Sequence, residues 1–212
     1  DNPGTATVTI IDQATATIND GPDSICSGSS ATMTVIVSNI LSSDSVKVDW
    51  SIDGTPQTAL VFTGAGSHNF TIPASSLVAA ALPASTDFVI TVDTVTNLSS
   101  TEPCAGLVDS DHTIKVHRAT VGGTTSSDAT VCIGNNSGTI KLVDNIGTIL
   151  YWESSNNGAS WTQVNNTTDE LTYTNLTDTT SYRAVSKNGL CGLAYSTATK
   201  ISTKELSATI VG

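Results

Sequence analysis

Apolar and polar residues alternate along most of the chain with the period of a half-buried β-strand. Ala31, Met33, Val35 and Val37 alternate with mostly polar neighbours. Val46, Val48, Trp50 and Ile52 point one way while Lys47, Asp49 and Ser51 point the other, and Asp53-Gly54 then signals a hairpin turn. Further strands are predicted at 60–62, 69–72, 88–92 and 113–117. Between 72 and 88 lies an alanine-rich stretch bracketed by Pro73 and Pro83, which permits a short helical turn capped by Ser75 or Ser76 and reads as a connector across one end of a sandwich.

The same order returns with fewer residues. Strands are predicted at 139–143 and at 148–153, the latter carrying Trp152; Asn156-Asn157-Gly158 turns that strand into 160–164. Runs at 171–173 and 180–185 follow, and Asn188-Gly189 turns the chain towards a closing strand at 194–202. Trp50 lies 24 residues after Cys26 and Trp152 lies 20 after Cys132, so the two stretches superpose and both tryptophans are expected in a core. Seven or so short strands per repeat, with turns every eight to twelve residues, predict an all-β chain of tandem immunoglobulin-like β-sandwich domains.

A passage from a closing strand to an opening strand occurs three times, at 8–18, 113–132 and 199–212. It divides the chain into the end of a preceding repeat or linker strand at 1–13, a first domain at 14–118, a second at 119–206, and the start of a following repeat at 207–212. Both ends read as cut from something longer. Gly122 and Gly123 are expected to allow backbone bending at the middle junction.

Composition narrows the class of partner. Charged residues make up 13 % of the chain and aromatics 5 %, and the net charge of −11 repels nucleic acid and anionic membrane surfaces. No run of about 18 apolar residues exists, so no direct membrane insertion is expected. The four cysteines fall two to each repeat, which predicts disulfides Cys26–Cys104 and Cys132–Cys191 near the domain surface and an oxidising compartment. In the loop-entropy model each such bridge contributes roughly 4 kcal/mol.

The candidates for chemistry read as structural. His112 and His117 are five residues apart on a strand, on opposite faces, and cannot chelate jointly. Asp109-Ser110-Asp111 offers oxygen ligands for calcium without the remaining ligands of a six-to-eight coordinate site. Ser67-His68 is not arranged for proton relay, no Gly-x-Ser-x-Gly elbow occurs, and Gly64-Ala65-Gly66 is too short for a phosphate loop. No enzymatic constellation and no cofactor site is expected. Tyr151, Trp161 and Tyr173 offer either a flat aromatic platform for sugar rings or hairpin packing. Asn-x-Ser/Thr sequons at Asn69, Asn97, Asn135, Asn165, Asn166 and Asn175 follow from a composition rich in Asn, Ser and Thr.

The segments Cys-x-Gly-x-Ser at 26–30, Tyr-Trp-Glu-Ser-Ser-Asn-Asn-Gly-Ala-Ser-Trp-Thr-Gln-Val at 151–164, Leu-Thr-Tyr-Thr-Asn-Leu-Thr at 171–177, Ser-Tyr-Arg-Ala-Val at 181–185 and Cys-Gly-Leu-Ala-Tyr-Ser at 191–196 resemble the immunoglobulin-like repeats of very large Bacteroidetes surface proteins, the SprB-like gliding-motility adhesins. The resemblance is closer over 119–206 than over 14–118, where 76–83 looks like an insertion. It implies export by type IX secretion, display at the cell surface, and O-glycans on Ser or Thr that follows Asp and precedes an apolar residue or Thr, a pattern met at Ser24, Ser45, Thr94 and Thr179. The expected function is that of a structural or adhesive repeat, a stalk or a multivalent array in attachment or gliding, whose partners are neighbouring repeats of the same chain and a surface polysaccharide or other extracellular ligand. The alternative is a carbohydrate-binding accessory module of a secreted polysaccharide-degrading protein.

Overall fold

The computed structural model describes residues 13–79, 84–100, 105–108 and 110–205. The closing-strand part of the passage expected at 8–18, the segment at 207–212 and Cys104 lie outside the described residues. The described residues divide into two compact units. The first runs through Ser24 and adds Gly28–Val78 and Asp87–Val116; the second takes Ile25–Ser27, Ala79–Thr86 and the chain from His117 onward.

The chain is all-β. Its first ten strands are β1 (Thr15–Asp20), β2 (Ser24–Cys26), β3 (Ala31–Ser38), β4 (Ser45–Ile52), β5 (Thr55–Pro56), β6 (Leu60–Thr63), β7 (Gly66–Ile72), β8 (Ser85–Asn97), β9 (Leu107–Val108) and β10 (Asp111–His117). They form one sheet of order β7-β3-β1-β9 and another of order β2-β10-β8-β4-β5, with β6 also paired to β4. In β3, Ala31, Met33, Val35 and Val37 are all buried while Thr32 is exposed, as a two-residue period demands. Facing them from β4 are Val46, Val48, Trp50 and Ile52.

A register shift between Asp49 and Trp50 lets Val92 and Val95 of β8, three residues apart, both face inward. Asp53 and Gly54 both have positive φ (48° and 74°), which is the backbone of a tight two-residue hairpin. The alanine-rich connector holds one 3-10 turn at Ala74–Ser76. Pro73 occupies its cap position, so Ser75 and Ser76 lie within the turn and do not cap it.

The second set comprises β11 (Thr124–Thr125), β12 (Ala129–Cys132), β13 (Ser137–Val143), β14 (Thr148–Ser155), β15 (Thr162–Val164), β16 (Glu170–Thr174), β17 (Thr180–Lys187), β18 (Leu193–Tyr195) and β19 (Thr199–Lys204). Its sheets have the orders β11-β13-β16 and β12-β19-β17-β14-β15, with β18 paired to β17. Strand for strand, β1-β3-β7 corresponds to β11-β13-β16, and β10-β8-β4 corresponds to β19-β17-β14. This division between two facing, mostly antiparallel sheets, with connections that switch from one to the other, is immunoglobulin-like.

The core of the second sandwich gathers Ile140, Leu142, Ile149, Trp152, Leu171, Tyr173, Tyr182, Ala184 and Ile201. Trp152 is fully enclosed, and its indole N–H donates to the Thr168 carbonyl at 2.9 Å. Trp50 makes the corresponding bond, to the Thr58 carbonyl at 2.9 Å. A buried indole needs such an acceptor, and both sandwiches supply it from the chain that follows the tryptophan strand. The closing strand expected at 194–202 is broken: β18 pairs with the end of β17 (Val185↔Tyr195) and β19 with its start (Tyr182↔Thr199). The break lies at Ser196-Thr197-Ala198, where the Ala184 N–H donates to Ser196 Oγ and the Thr125 N–H to Thr197 Oγ1.

Gly122 and Gly123 serve close packing. A Cβ on Gly122 would land on the Tyr195 carbonyl and within 2.6 Å of the Ser196 nitrogen, while Gly123 holds φ at +82° against Val143 and Asn145.

Candidate functional site

The expected cysteine pairing is overturned. Cys26 is bonded to Cys191, with Cα atoms 5.0 Å apart and a sequence separation of 165, and Cys132 is an exposed free thiol. The register explains why Cys132 cannot reach Cys191. Cys132 ends β12 opposite Lys204, three residues past the Ile201 that faces Thr180 at the start of β17, whereas Cys191 follows the far end of β17. The two thiols are therefore separated by roughly the length of the strand, about 30 Å at 3.3 Å per residue. A disulfide tolerates Cα atoms no more than about 7 Å apart.

The bridge belongs to a clasp built inside the second unit. Three stretches of chain converge there: Ile25–Ser27, Ala79–Thr86 and the chain after His117. The Ser27 N–H donates to the His117 carbonyl at 2.7 Å, and the Arg118 N–H donates to the Ala84 carbonyl at 2.9 Å. Asn188 ties the stretches together. Its side-chain amide donates to the Ala84 and Arg118 carbonyls, both at 2.8 Å, and its backbone N–H donates to Thr120 Oγ1 at 3.0 Å. Asn188 is buried, and the turn continues through Gly189 at φ +51°. The imidazole of His117 packs where a Cβ on Gly189 would sit, so this position requires glycine for space as well as for conformation.

Cys191 is buried, and its sulfur lies 3.4 and 3.5 Å from the Arg118 and His117 carbonyl oxygens; Cys26 is half-buried. A disulfide of this kind belongs to an oxidising compartment and points to an extracellular or secreted protein.

A second cluster lies on the outer face of the β14–β17–β18 sheet. Residues on the two sides of each strand alternate, so the pairing of Glu153 with Arg183 and of Val185 with Tyr195 sets these four on one face. The Arg183 guanidinium stacks over Trp161 at 4.0 Å and over Tyr195 at 4.2 Å, and its Nε donates to Glu153 Oε2 at 2.7 Å. Each stack contributes about 0.5–1 kcal/mol at a partly exposed site. The result is a stacked cluster of two aromatic rings and a guanidinium, with Tyr195 about half exposed.

Of the three aromatics read as either a platform or hairpin packing, Trp161 belongs to this surface. Tyr173 does not: it is buried and stacked on Tyr182 in the core, because the two-residue period of β16 that buries Leu171 also turns Tyr173 inward. Tyr151 pairs with Val185 in register and is half-buried. Tyr182 has its phenol pKa raised, first by burial. Sequence reasoning missed Arg183 and Tyr195; their alternation with buried Tyr182 and Ala184 was the signal that places Arg183 outward.

The remaining candidates are dispersed. His112 is half-buried, with Nε2 3.3 Å from the Pro22 carbonyl and 3.9 Å from the Asp23 carboxylate, while His117 packs on Gly189. Asp111 is exposed, and Asp109 lies outside the described residues. His68 stacks on Phe62 at 4.6 Å and places Nε2 2.9 Å from the Gly64 carbonyl. Among the described residues no three His, Cys, Asp or Glu side chains converge as metal ligands, and no helix is long and apolar enough to cross a membrane.

The glycosylation candidates differ in access. The Ser24 hydroxyl is buried without a hydrogen-bond partner, so Ser24 is withdrawn as an accessible acceptor in the folded chain. Thr94 is exposed and donates to Asp49 Oδ2 at 2.8 Å. Ser45 and Thr179 are half-buried, and Thr179 Oγ1 accepts from the Thr203 N–H at 3.2 Å.

A family model described as a domain of unknown function (DUF8696) matches residues 121–205. A search of curated protein sequences finds no match. Among solved structures, the chain is similar to the FN1-FN3 domains of chicken CNTN1, at 14 % identity and TM-score 0.38, covering 88 % of this chain and 64 % of that one. It is also similar to the fibronectin(III)-like modules of Clostridium thermocellum CbhA, at 14 % identity and TM-score 0.33, over 93 % of this chain and 99 % of that one. The CARDB domain of the PF1109 protein from Pyrococcus furiosus, described in complex with di-metal ions, matches at 18 % identity and TM-score 0.32, over 56 % of this chain and 99 % of that one.

Proposed function

We propose that this chain is a structural and adhesive repeat segment of a long bacterial cell-surface protein, serving as stalk or multivalent array in surface attachment or gliding, without a catalytic step. The observation that carries the reading is the repetition of one strand order in two successive sandwiches, β1-β3-β7 with β10-β8-β4 and then β11-β13-β16 with β19-β17-β14. A repeated module suits a protein that needs reach or many weak contacts, and multiplicity converts weak contacts into avidity. The motifs at 151–164 and 191–196 support placing the parent protein among the giant Bacteroidetes surface adhesins exported by type IX secretion, with neighbouring repeats of the same chain as its first partners.

The test is an in-frame deletion of residues 13–205 from the parent gene, followed by antibody labelling of intact cells and measurement of attachment. The reading expects the shortened protein still to reach the surface while attachment or gliding falls. Unchanged attachment together with loss of a soluble polysaccharide-binding activity would overturn it.

A second reading, a carbohydrate-binding module, rests on the Trp161–Arg183–Tyr195 surface. Flat aromatic faces flanked by charged hydrogen-bonding groups suit sugar rings. A glycan array probed with the 212-residue chain and with Tyr195→Ala decides it: binding to a defined sugar that the variant loses supports the module, and silence in both removes it.

A further inference from the structure

We propose that the Cys26–Cys191 bridge is a mechanical bypass that removes most of both sandwiches from the load path when the chain is pulled. The inference follows from covalent connectivity. Tension entering ahead of Cys26 and leaving after Cys191 crosses the disulfide, so the intervening loop, spanning a sequence separation of 165, carries none of it. That loop contains β3 to β17 entire, including the strands that hold Trp50 and Trp152. Among the described residues, only β1, β2, β18 and β19 lie outside it and can be peeled by force.

The magnitudes separate the two cases widely. The 25 residues ahead of Cys26 and the 21 after Cys191 extend to about 150–170 Å at 3.3–3.6 Å per residue. The closed loop would otherwise yield a further 550–590 Å, roughly, on the same basis. The bridge thus withholds more than three-quarters of the available extension.

The surroundings of the sulfurs favour a permanent crosslink over a redox switch. A thiolate attacking the buried Cys191 sulfur has no direct approach. Attack on half-buried Cys26 would expel the Cys191 thiolate, whose sulfur faces the carbonyl oxygens of Arg118 and His117 at 3.4 and 3.5 Å. Carbonyl oxygens and burial both disfavour a thiolate, so it is a poor leaving group there. The Asn188 hydrogen bonds hold those same segments in place, which keeps the cysteines in register while the peripheral strands are loaded.

The use of such a bypass in a stalk rests on the structural reading above, whereas the cap on extension does not. The test is single-molecule force spectroscopy of the 212-residue chain, held by handles at its two ends in non-reducing buffer. Extension is expected to stop at an end-to-end length of about 150–170 Å. Dithiothreitol, which is oxidised to its cyclic disulfide as Cys26 and Cys191 are reduced to thiols, is expected to release the further 550–590 Å, roughly. Cys26→Ser/Cys191→Ser should behave as the reduced chain. If that variant fails to fold, the limit on the oxidised wild type and its release by reductant remain decisive. Extension to about 250 Å, which the within-repeat pairing Cys26–Cys104 and Cys132–Cys191 allows, or full extension without reductant, would overturn the proposal. A capped chain whose deletion leaves cell attachment intact would instead refute the stalk and leave the bypass standing.

Discussion

Replacing Trp152 by phenylalanine isolates what the second core asks of its tryptophan. The side chain is wholly enclosed among Ile140, Leu142, Leu171 and their neighbours, and its N–H donates to the Thr168 carbonyl at 2.9 Å. Phenylalanine keeps a six-membered aromatic ring but leaves a void of roughly 40 Å³, costing about 1 kcal/mol at 24 cal/mol per Å³. Loss of the hydrogen bond adds about 1 kcal/mol, at the lower end of the usual penalty because Thr168 is exposed and its carbonyl can turn to water. The sum is about 2 kcal/mol for Trp152→Phe, against about 3–5 kcal/mol for Trp152→Ala. Urea unfolding followed by fluorescence reads this directly, since Trp50 and Trp161 remain as reporters, one in each sandwich. With a slope of about 1–2 kcal/mol/M, the Trp161 transition should move down by about 1–2 M in Trp152→Phe while the slope holds. A shift under about 0.3 M would show that neither the indole's volume nor its hydrogen bond stabilises this core, and equal shifts for Phe and Ala would show that the ring Phe retains contributes nothing.

Three further outcomes are expected. Asn188→Ala removes two side-chain hydrogen bonds from a buried site and should lower the stability of the second unit by about 2–3 kcal/mol, read as a urea midpoint shift confined to the Trp152 and Trp161 signals. Arg183→Lys keeps the charge but loses the planar stack between Trp161 and Tyr195, so melting should fall by about 4–8 °C for each 1 kcal/mol lost, whereas a neutral result would deny the stack any role. Hydrogen bonding from Lys47, and then from Thr94, holds the Asp49 carboxyl below its ordinary value. Its small stabilisation is present above the ordinary carboxylate range and lost as pH falls through the lowered value, so Asp49→Asn should flatten the acid side of the stability profile by a few tenths of a kcal/mol, roughly.

Much of the fold was legible because burial on one face of a strand writes itself as alternation. Met33, Val35, Val46 and Val48 announce β3 and β4, and Asp53-Gly54 announces its turn through the positive φ that this pair tolerates. Positions where two strands fall out of step were not legible. The register shift between Ile149 and Tyr151 turns both Ile149 and Trp152 inward, and nothing local in the sequence marks it. The cysteine partners were illegible for a related reason: which thiols meet depends on β12 running parallel to β19 and on where β2 is recruited, both long-range facts. An even count in each repeat suggested a rule that tertiary placement overrides. Gly122 and Gly123 resemble a hinge when read alone, because the backbone that crowds them comes from Val143, Asn145 and Tyr195, far along the chain.

Arg183 and Tyr195 show the same limit at the candidate surface. Each sits at an outward position that its strand predicts, yet the stack exists only because β17 lies between β14 and β18. Spacing along one strand therefore identifies the face, and the sheet order identifies the neighbours.

The clasp and the bypass both depend on the Cys26–Cys191 bridge, and peptide mapping of the unreduced chain by mass spectrometry reads that connectivity. Digestion with thiols blocked should yield one species joining the peptide of Cys26 to that of Cys191, with Cys132 recovered as an alkylated thiol. Recovery of Cys132 joined to Cys191 would contradict that connectivity.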